Sequence, residues 1–282
     1  MSARLADIEA RRENIADLSE IVGALKAIAA NRMMQGESAL ASIRAYADSV
    51  EEMLSTTLID RPLPQARATD HTKRGLILFS GEYGFTGAFT EKLIDDLVDT
   101  VKPDDHVFVI GQRGAIFVRE RNIQPDWETP MATRIQSVSE TAHRLTGELF
   151  RCIHQGKINA VSMIYAQHQG GGQSQPTTRA LFPLDLQQHQ KSKRMTRPFM
   201  HLNPDLIISR ITEEYIFAIL TLATMESLVS ENGARLVTMQ QAHQSIENKL
   251  EILGNEMRVR RQDEITTEIL DIVTGAEATL RT

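Results

Sequence analysis

The sequence predicts an α/β protein in which long helices at the two chain ends form an antiparallel coiled coil. An α/β domain is inserted between these helices in the sequence. Apolar residues recur every three or four positions through most of the first 60 residues, and again from Ile211 to Met257. Between these stretches, short apolar runs alternate with amphipathic helical patterns, which is typical of a largely parallel sheet. The predicted divisions are an N-terminal helix over 1–60, an α/β domain over 73–186, a basic linker over 187–202 and a C-terminal helix over 203–282.

The N-terminal helix is predicted from a stripe of apolar residues counted from Ile8 to Thr57, which keeps its register without a slip. A repeat sustained this far predicts a left-handed coiled coil. Arg11 and Arg32 lie in the stripe, where a buried unpaired charge would be costly. We therefore expect either that the stripe is open there or that each arginine contacts something outside the coiled coil. A single long helix packed on its own domain is the alternative.

The middle of the chain, after a polar and proline-bearing stretch over 61–72, changes character. Strands are predicted at 75–80, 106–111, 160–166 and 178–184, and helices at 88–101, 115–121 and 137–155. Residues 168–176 (HQGGGQSQP) predict a hairpin tip between the last two strands, and Pro183 is compatible with an edge strand. Strands that alternate with helices predict a small Rossmann-like domain.

The C-terminal helix opens at Asn203 with a capping residue, a proline and an acidic residue (NPD). Only Asn232 and His243 interrupt its apolar stripe, and Gly275 lies where a helix end is expected. Some seventy helical residues would span on the order of 110 Å at ~1.5 Å per residue. We expect such a helix to need a partner along its length. Beyond Met257 the stripe steps by fours, so the coiled coil is predicted to become a lone shaft there.

Composition and charge exclude several classes of function. The formal net charge of −6 gives no general case for a nucleic-acid partner. No apolar stretch approaches the roughly 20 residues of a membrane helix, and the first residues lack the apolar core of a secretory signal. We therefore expect no direct membrane insertion. The single Cys152 cannot form an internal disulfide, which fits a reducing compartment.

No catalytic site is predicted. Residues 80–87 (SGEYGFTG) follow a strand and precede a helix, as phosphate-binding loops do. They lack both the dinucleotide-binding glycine spacing and the P-loop lysine, so we interpret Gly84 and Gly87 as structural turn residues. The eight histidines do not share metal-ligand spacing with other ligands, and no nucleophile elbow occurs. We expect no catalytic residue, no cofactor and no metal.

The clearest chemical signal is a basic collar on the C-terminal helix. It consists of Arg258, Arg260 and Arg261, beside Gln262. A solvated charged face is the alternative interpretation. Because this helix is expected to need an outside partner, we favour contact with carboxylates, which the planar guanidinium group binds in a bidentate manner.

Five segments resemble one known family, in order along nearly the whole chain. Residues 230–242 (SENGARLVTMQQA) are similar to S-E-x-x-A-R-M-x-A-M-x-x-A, and residues 261–276 (RQDEITTEILDIVTGA) to R-Q-x-x-I-T-x-E-L-x-E-I-V-x-G-A. Residues 21–30 (IVGALKAIAA), 84–89 (GFTGAF) and 181–184 (LFPL) are similar to further family segments. The family is the γ subunit, the central rotor shaft, of rotary F-type ATP synthases.

The chain departs from the family pattern at three places. Residues 32–37 (RMMQGE) lack much of the positive charge found there in the family. Thr86 stands where the family has cysteine, and Met257 with Arg258 replaces a Tyr-Asn pair. The resemblance is therefore to a divergent bacterial member, which fits a second, paralogous rotary ATPase.

The resemblance implies a non-catalytic subunit that rotates inside an alternating hexamer of catalytic and non-catalytic ATPase subunits. Its further implied partners are the ε subunit and the membrane rotor ring, at the cytoplasmic face of the bacterial inner membrane. Rotation would couple transmembrane ion flow, of protons or of sodium, to ATP synthesis or hydrolysis. Two other classes remain as alternatives: a ligand-binding α/β enzyme dimerised by a coiled coil, and a self-associating scaffold.

The resemblance also implies roles for particular residues. Arg261 and Gln262, flanked by Arg258 and Arg260, match positions that hydrogen-bond acidic catch loops on the catalytic subunits. Coupling positions match Glu231 and Arg235, and Leu25 and Lys26 in the N-terminal motif. An apolar tip that turns in a hydrophobic sleeve is implied for Ile269, Ile272, Val273 and Leu280.

Overall fold

The computed structural model describes residues 2–57, 73–183 and 203–280, with side chains described for 5–57, 73–183, 203 and 205–273. The predicted basic linker and the stretch over 61–72 lie outside the described residues. The chain divides into two compact units. The larger unit comprises Ala29–Val237, and the smaller unit comprises Met1–Ile28 together with Thr238–Thr282.

The chain contains five α-helices and five strands within the described residues, with one 3-10 turn before the fourth helix. They follow in the order α1 (Ser2–Thr57), β1 (Arg74–Phe79), α2 (Phe89–Thr100), β2 (His106–Ile110), α3 (Gln112–Glu120), β3 (Trp127–Thr129), the turn (Ile135–Ser137), α4 (Val138–His154), β4 (Ala160–Gly170), β5 (Gln173–Phe182) and α5 (Pro204–Leu280). The predicted helix end at Gly275 is wrong, because α5 continues to Leu280. A single interior glycine costs a helix only about 1 kcal/mol, which does not force an end.

The strands form one sheet in the order β3-β2-β1-β4-β5. All neighbouring pairs are parallel except β4 and β5, which form the predicted antiparallel hairpin. The hairpin strands are longer than predicted, and the turn contains only Gly171 and Gly172, both with positive φ. Pro183 follows the end of β5 instead of lying in it. The short strand β3 was not predicted, because three residues (WET) carry no readable alternation.

Both faces of the sheet are covered by helices. On one face, Leu76 and Leu78 of β1 pack in a core with α2 and α3. On the other face, Ile77 and Phe79 pack in a core with α1, α4 and α5. Because β1 is buried on both faces, its sequence reads as a continuous apolar run and not as an alternation.

Within the larger unit, α1 and α5 run antiparallel. Gly36 lies against Val229, where an added Cβ would come within 2.5 Å of Val229 Cγ2, and further along α1 Tyr46 bonds Glu214. Between residues 215 and 235, α5 is buried on nearly all sides. Such all-round burial is typical of a core helix and exceeds what a two-helix coiled coil provides.

After Gly36, every second position of the predicted N-terminal stripe is wrong, whereas Val50 and Thr57 are buried as predicted. The heptad count placed Ala39, Tyr46 and Met53 in the stripe, whereas the structure buries the residues one position later: Leu40, Ala47 and Leu54. Met53 is 54% exposed. The buried face is rotated because this part of α1 packs on the sheet core as well as on α5. The alternative interpretation, a helix packed on its own domain, therefore describes this half of α1.

The smaller unit pairs the start of α1 with the C-terminal part of α5. Val22, Met239 and Leu253 are its buried apolar residues among those described. An ion pair joins Arg261 Nη2 to Glu9 Oε1 at 3.6 Å. Arg11 is exposed and pairs with Asp7 on its own helix, so the stripe is open at this position. An open stripe was one of the two outcomes expected for this arginine.

Candidate functional site: the loop after β1 and its contacts with α5

The carboxyl ends of β1 and β4 mark the point at which the strand order reverses. The chain proceeds from β1 to β2 on one side, and β4 lies on the other side of β1. In open α/β sheets, ligands bind in the crevice outside such a point. Here the loop after β1 (residues 80–87) occupies that edge, and α5 lies against it.

The Glu231 carboxylate binds the main chain of this loop. It accepts hydrogen bonds from the backbone N–H groups of Glu82 and Tyr83, both at 3.3 Å. Glu231 is only 3% exposed, and its Oε1 pairs with Arg235 Nη2 at 2.5 Å. Consecutive amides at this place in a nucleotide-binding fold face a phosphate group. In this chain they hold the protein's own carboxylate.

Arg235 binds the same loop through carbonyl groups. Its guanidinium group donates to Tyr83 O at 3.3 Å and to Gly84 O at 3.2 Å. Glu231 and Arg235 lie one turn apart on α5, so one acidic and one basic side chain hold both the donors and the acceptors of a single loop. Such a buried pair is best attested as a device that fixes register.

Glu82 fills a second place suited to an anion. Its Oε2 accepts from the backbone N–H of Gln112 at 3.1 Å and of Met131 at 2.8 Å. Gln112 is the first residue of α3, so the carboxylate lies at a helix N-terminus, where negative charge is favoured. Both anion-receptive positions at this sheet edge are therefore occupied by side chains of the chain itself.

The two predicted turn glycines differ in conformation. Gly87 has a φ of +56°, which L side chains rarely adopt. Gly84 has no positive φ, and its contribution is the carbonyl that Arg235 binds. The strained position between them is Phe85, with a φ of +62° and a side chain that is 68% exposed.

The basic collar lies on the surface of α5 in the smaller unit. Arg261 keeps 63% of its side chain exposed despite the pairing with Glu9. Arg260 approaches Asp263 at 4.0 Å, and Arg258 donates to Asn255 on its own helix. Gln262 is also exposed.

The remaining predicted site residues are distributed between the two units. Ile269, Ile272 and Val273 are 55%, 71% and 52% exposed. Leu280 is the last residue of α5, and its side chain lies outside the described residues. Leu25 and Lys26 are half-buried in the smaller unit, whereas Glu231 and Arg235 are buried in the larger one.

Sequence reasoning missed a set of polar residues in the larger unit, of which Glu82, His168 and Glu226 are buried. These are Glu82, and the four residues Glu37, Arg44, His168 and Glu226. The only signal in the sequence was a charge at position 226 between the apolar residues Met225 and Leu228. Among the residues with described side chains, no group of three His, Cys, Asp or Glu residues could hold a metal ion.

Comparison with known proteins assigns a family. The ATP synthase family model matches residues 4–279. The ATP synthase gamma chain of Streptococcus suis is 23% identical, and the alignment covers 99% of each chain. The ATP synthase gamma chain of Bacteroides thetaiotaomicron is 25% identical over 97% of this chain and 99% of its own.

Solved structures share the fold. The rotor of the Euglena gracilis mitochondrial ATP synthase gives a TM-score of 0.66 at 13% identity, covering 94% of this chain and 100% of that one. The central stalk of the Tetrahymena thermophila enzyme gives 0.56 at 16% identity, covering 79% and 99%. Within the described residues, no helix is long and apolar enough to cross a membrane. The chain belongs to the ATP synthase family, among its gamma chains.

Proposed function

We propose that this chain is the central shaft of a bacterial rotary ATP synthase, and that it carries no catalytic site of its own. It turns inside the hexamer of catalytic and non-catalytic subunits, and it contacts an ε subunit and the membrane rotor ring at the cytoplasmic face of the inner membrane. Rotation couples transmembrane ion flow to ATP synthesis or hydrolysis. The observation that carries this proposal is the end-to-end match to gamma chains.

The geometry of the sheet edge supports a non-catalytic subunit. An enzyme that bound a phosphorylated ligand at the point of strand reversal would need free amides there. Glu231 and Glu82 occupy those amides in this chain. The ligand-binding alternative would require both buried carboxylates to leave their partners.

The basic collar is the proposed contact with the catalytic subunits. Arg261 and Gln262, with Arg258 and Arg260 beside them, bind acidic loops through charge-assisted hydrogen bonds. Their exposure supports this role, because the pairing of Arg261 with Glu9 at 3.6 Å joins two exposed groups and contributes little. A carboxylate brought by a partner can replace it at small cost.

The coupling residues and the tip complete the assignment. We assign Glu231 and Arg235 to coupling because they fasten α5 to the α/β domain, and Leu25 and Lys26 to contacts from α1. The tip residues Ile269, Ile272, Val273 and Leu280 form an apolar bearing surface. Apolar contacts are non-directional, so they do not favour one rotational angle strongly.

The collar is tested by the double variant Arg261→Ala with Gln262→Ala in the assembled complex. We expect a several-fold lower rate of ATP synthesis in membrane vesicles, with unchanged urea unfolding of the isolated chain, because both side chains are exposed. Arg210→Ala, an exposed arginine paired within its own helix turn, is the matched control. A double variant that synthesises ATP as fast as the control contradicts the assignment.

The shaft assignment itself is tested by reconstitution. The isolated chain is expected to have no ATPase activity, and to assemble with the larger nucleotide-binding subunits into a complex that hydrolyses ATP. A purified chain that hydrolyses ATP alone would contradict the proposal. Thermal stabilisation of the isolated chain by a phosphorylated ligand would instead favour the ligand-binding enzyme.

A further inference from the structure

Strand β4 extends beyond the end of its parallel neighbour, β1. Its ladder with β1 ends at the pair Leu78 and Ile164, whereas β4 continues to Gly170. From residue 165 onward, none of the described strands lies beside the edge of β4 that faced β1. Buried backbone N–H and C=O groups almost always find partners, so this overhang needs another source of hydrogen bonds.

Helix α5 supplies those hydrogen bonds through two side chains. Ser230 Oγ donates to Ala166 O at 3.0 Å, and the backbone N–H of His168 donates to Glu226 Oε2 at 2.6 Å. Ala166 and His168 are two residues apart, so they face the same strand edge. Ser230 and Glu226 therefore take the place of the missing strand.

Helix α1 is tied to the same points. Arg44 donates to Glu226 Oε1 from Nη2 at 2.7 Å and from Nε at 3.1 Å. His168 Nε2 lies 2.8 Å from Glu37 Oε1. One oxygen of Glu226 thus binds β4 and the other binds α1, while His168 contacts α5 through its amide and α1 through its ring. We call these four residues (Glu37, Arg44, His168 and Glu226) the junction.

Two glycines near the junction allow neighbouring elements to pack against α5 with no space for a side chain at either position. An added Cβ at Gly36 would approach Val229 to 2.5 Å, and one at Gly233 would approach the Gly172 Cα to 2.9 Å. The first contact holds α1 to α5, and the second holds the hairpin turn to α5. Both lie within two turns of Glu226 on α5.

We propose that the junction is the joint through which torque passes between the long helices and the α/β domain, with Glu226 as its central positioning residue. This inference rests on the proposed shaft function. Apolar packing is non-directional and permits small rotations and slides. The junction hydrogen bonds are directional and weaken steeply when the donor angle changes. A shift of α5 by one turn, about 5.4 Å, would break every one of them.

The test compares the assembled wild-type complex with Glu226→Gln and Arg44→Gln. Arg44 and the His168 amide donate to different oxygens of Glu226, so a glutamine at 226 turns an NH2 group, which cannot accept, toward one of these two donors. Arg44→Gln removes only the tie to α1. The matched control is Arg151→Gln, which breaks an ion pair confined to α4. Two rates are measured: ATP hydrolysis by the detergent-solubilised core without the ring, and ATP synthesis by vesicles under an imposed ion gradient.

We expect hydrolysis by the core to be unchanged in all variants, because the hexamer contacts the helices directly. We expect synthesis to be several-fold lower for Glu226→Gln and Arg44→Gln and unchanged for the control. The torsional stiffness of a bead-labelled shaft should fall in the same two variants. A loss of packing at the contact with the hexamer would not lower this stiffness. If Glu226→Gln fails to assemble, Ser230→Ala replaces it in the test. This variant removes the hydrogen bond from Ser230 to Ala166, and we again expect lower synthesis and lower stiffness.

Synthesis and stiffness equal to those of the control would overturn the joint while leaving the shaft function intact. A wild-type complex that hydrolyses ATP without driving synthesis or rotation would instead contradict the shaft function. The two failures are therefore distinguishable.

Discussion

Removing the Glu231 carboxylate is expected to release the loop after β1 from α5. Arg235 is only 8% exposed in the wild-type chain, so in Glu231→Ala a buried arginine loses its charged partner. Two loop amides also lose their acceptor. Breaking a buried ion pair costs about 3–5 kcal/mol. Arg235 keeps the carbonyl groups of Tyr83 and Gly84, so we expect the lower end, about 3 kcal/mol of unfolding free energy.

The assay is urea unfolding of the full chain, followed by fluorescence. Trp127 is the only tryptophan, and its ring lies 6.4 Å from that of Phe108 in the sheet core, so its emission reports on the α/β domain. With a slope of about 1–3 kcal/mol per molar urea, a loss of this size lowers the midpoint by roughly 1 M or more. Glu140→Ala, which breaks an exposed pair with Arg144, should cost less than about 1 kcal/mol.

A second substitution distinguishes the loss of the Glu231–Arg235 ion pair from a general loss of packing. Arg235→Ala should cost less in the Glu231→Ala background than in the wild-type chain, because the uncompensated charge is then gone. Strict additivity of the two changes, or a loss in Glu231→Ala no larger than that in Glu140→Ala, would refute the reasoning.

Three further predictions concern local geometry. Gly233→Ala should destabilise the chain by about 1–3 kcal/mol because its Cβ meets the hairpin backbone at 2.9 Å, whereas Gly254→Ala, with nothing within 4 Å, should stabilise it by up to about 1 kcal/mol; urea unfolding compares them. Gly87→Val should cost more than Gly84→Ala, since a β-branched residue at φ +56° is strained; equal unfolding midpoints would contradict this. Burial, and secondarily a hydrogen bond to a neighbouring glutamate, raises the pKa of the Cys152 thiol. Alkylation should therefore be slow until urea unfolds the chain. The folded state binds the Cys152 proton more tightly than the unfolded state does, so the protonated thiol contributes to stability. This contribution is fully present below the pKa of the unfolded thiol and is lost as pH rises through the pKa of the folded thiol. Fast labelling of the native chain, measured by mass, would contradict the burial.

Periodicity predicted the long elements well because it is strong and sustained. The α/β alternation also placed β1, β2 and α2 to within a residue or two, since each is bounded by turn residues. The heptad count nevertheless selected Tyr46 where Ala47 is buried. Spacing identifies a stripe, but it does not reveal that a second layer packs beside the helix and rotates the buried face.

The site was predictable only in part. The resemblance singled out Glu231 and Arg235, but not the loop that they hold, because the contact joins residues about 150 positions apart, as the separation of 149 between Glu82 and Glu231 shows. The contact of Glu226 is harder still to predict, because its partner Arg44 lies 182 positions away and the charge at 226 within an apolar stretch does not indicate which residue it binds. Such contacts depend on how the chain returns to the sheet, which no local pattern records.

Observation of rotation in single assembled complexes tests the central claim most directly. A cysteine introduced at the exposed Glu120 on α3 would carry a bead, while the buried Cys152 stays unreactive. With the hexamer fixed to a surface and ATP supplied, the account predicts sustained rotation of the bead in one direction. A bead that only fluctuates about a fixed angle, while the same complexes hydrolyse ATP, would contradict it.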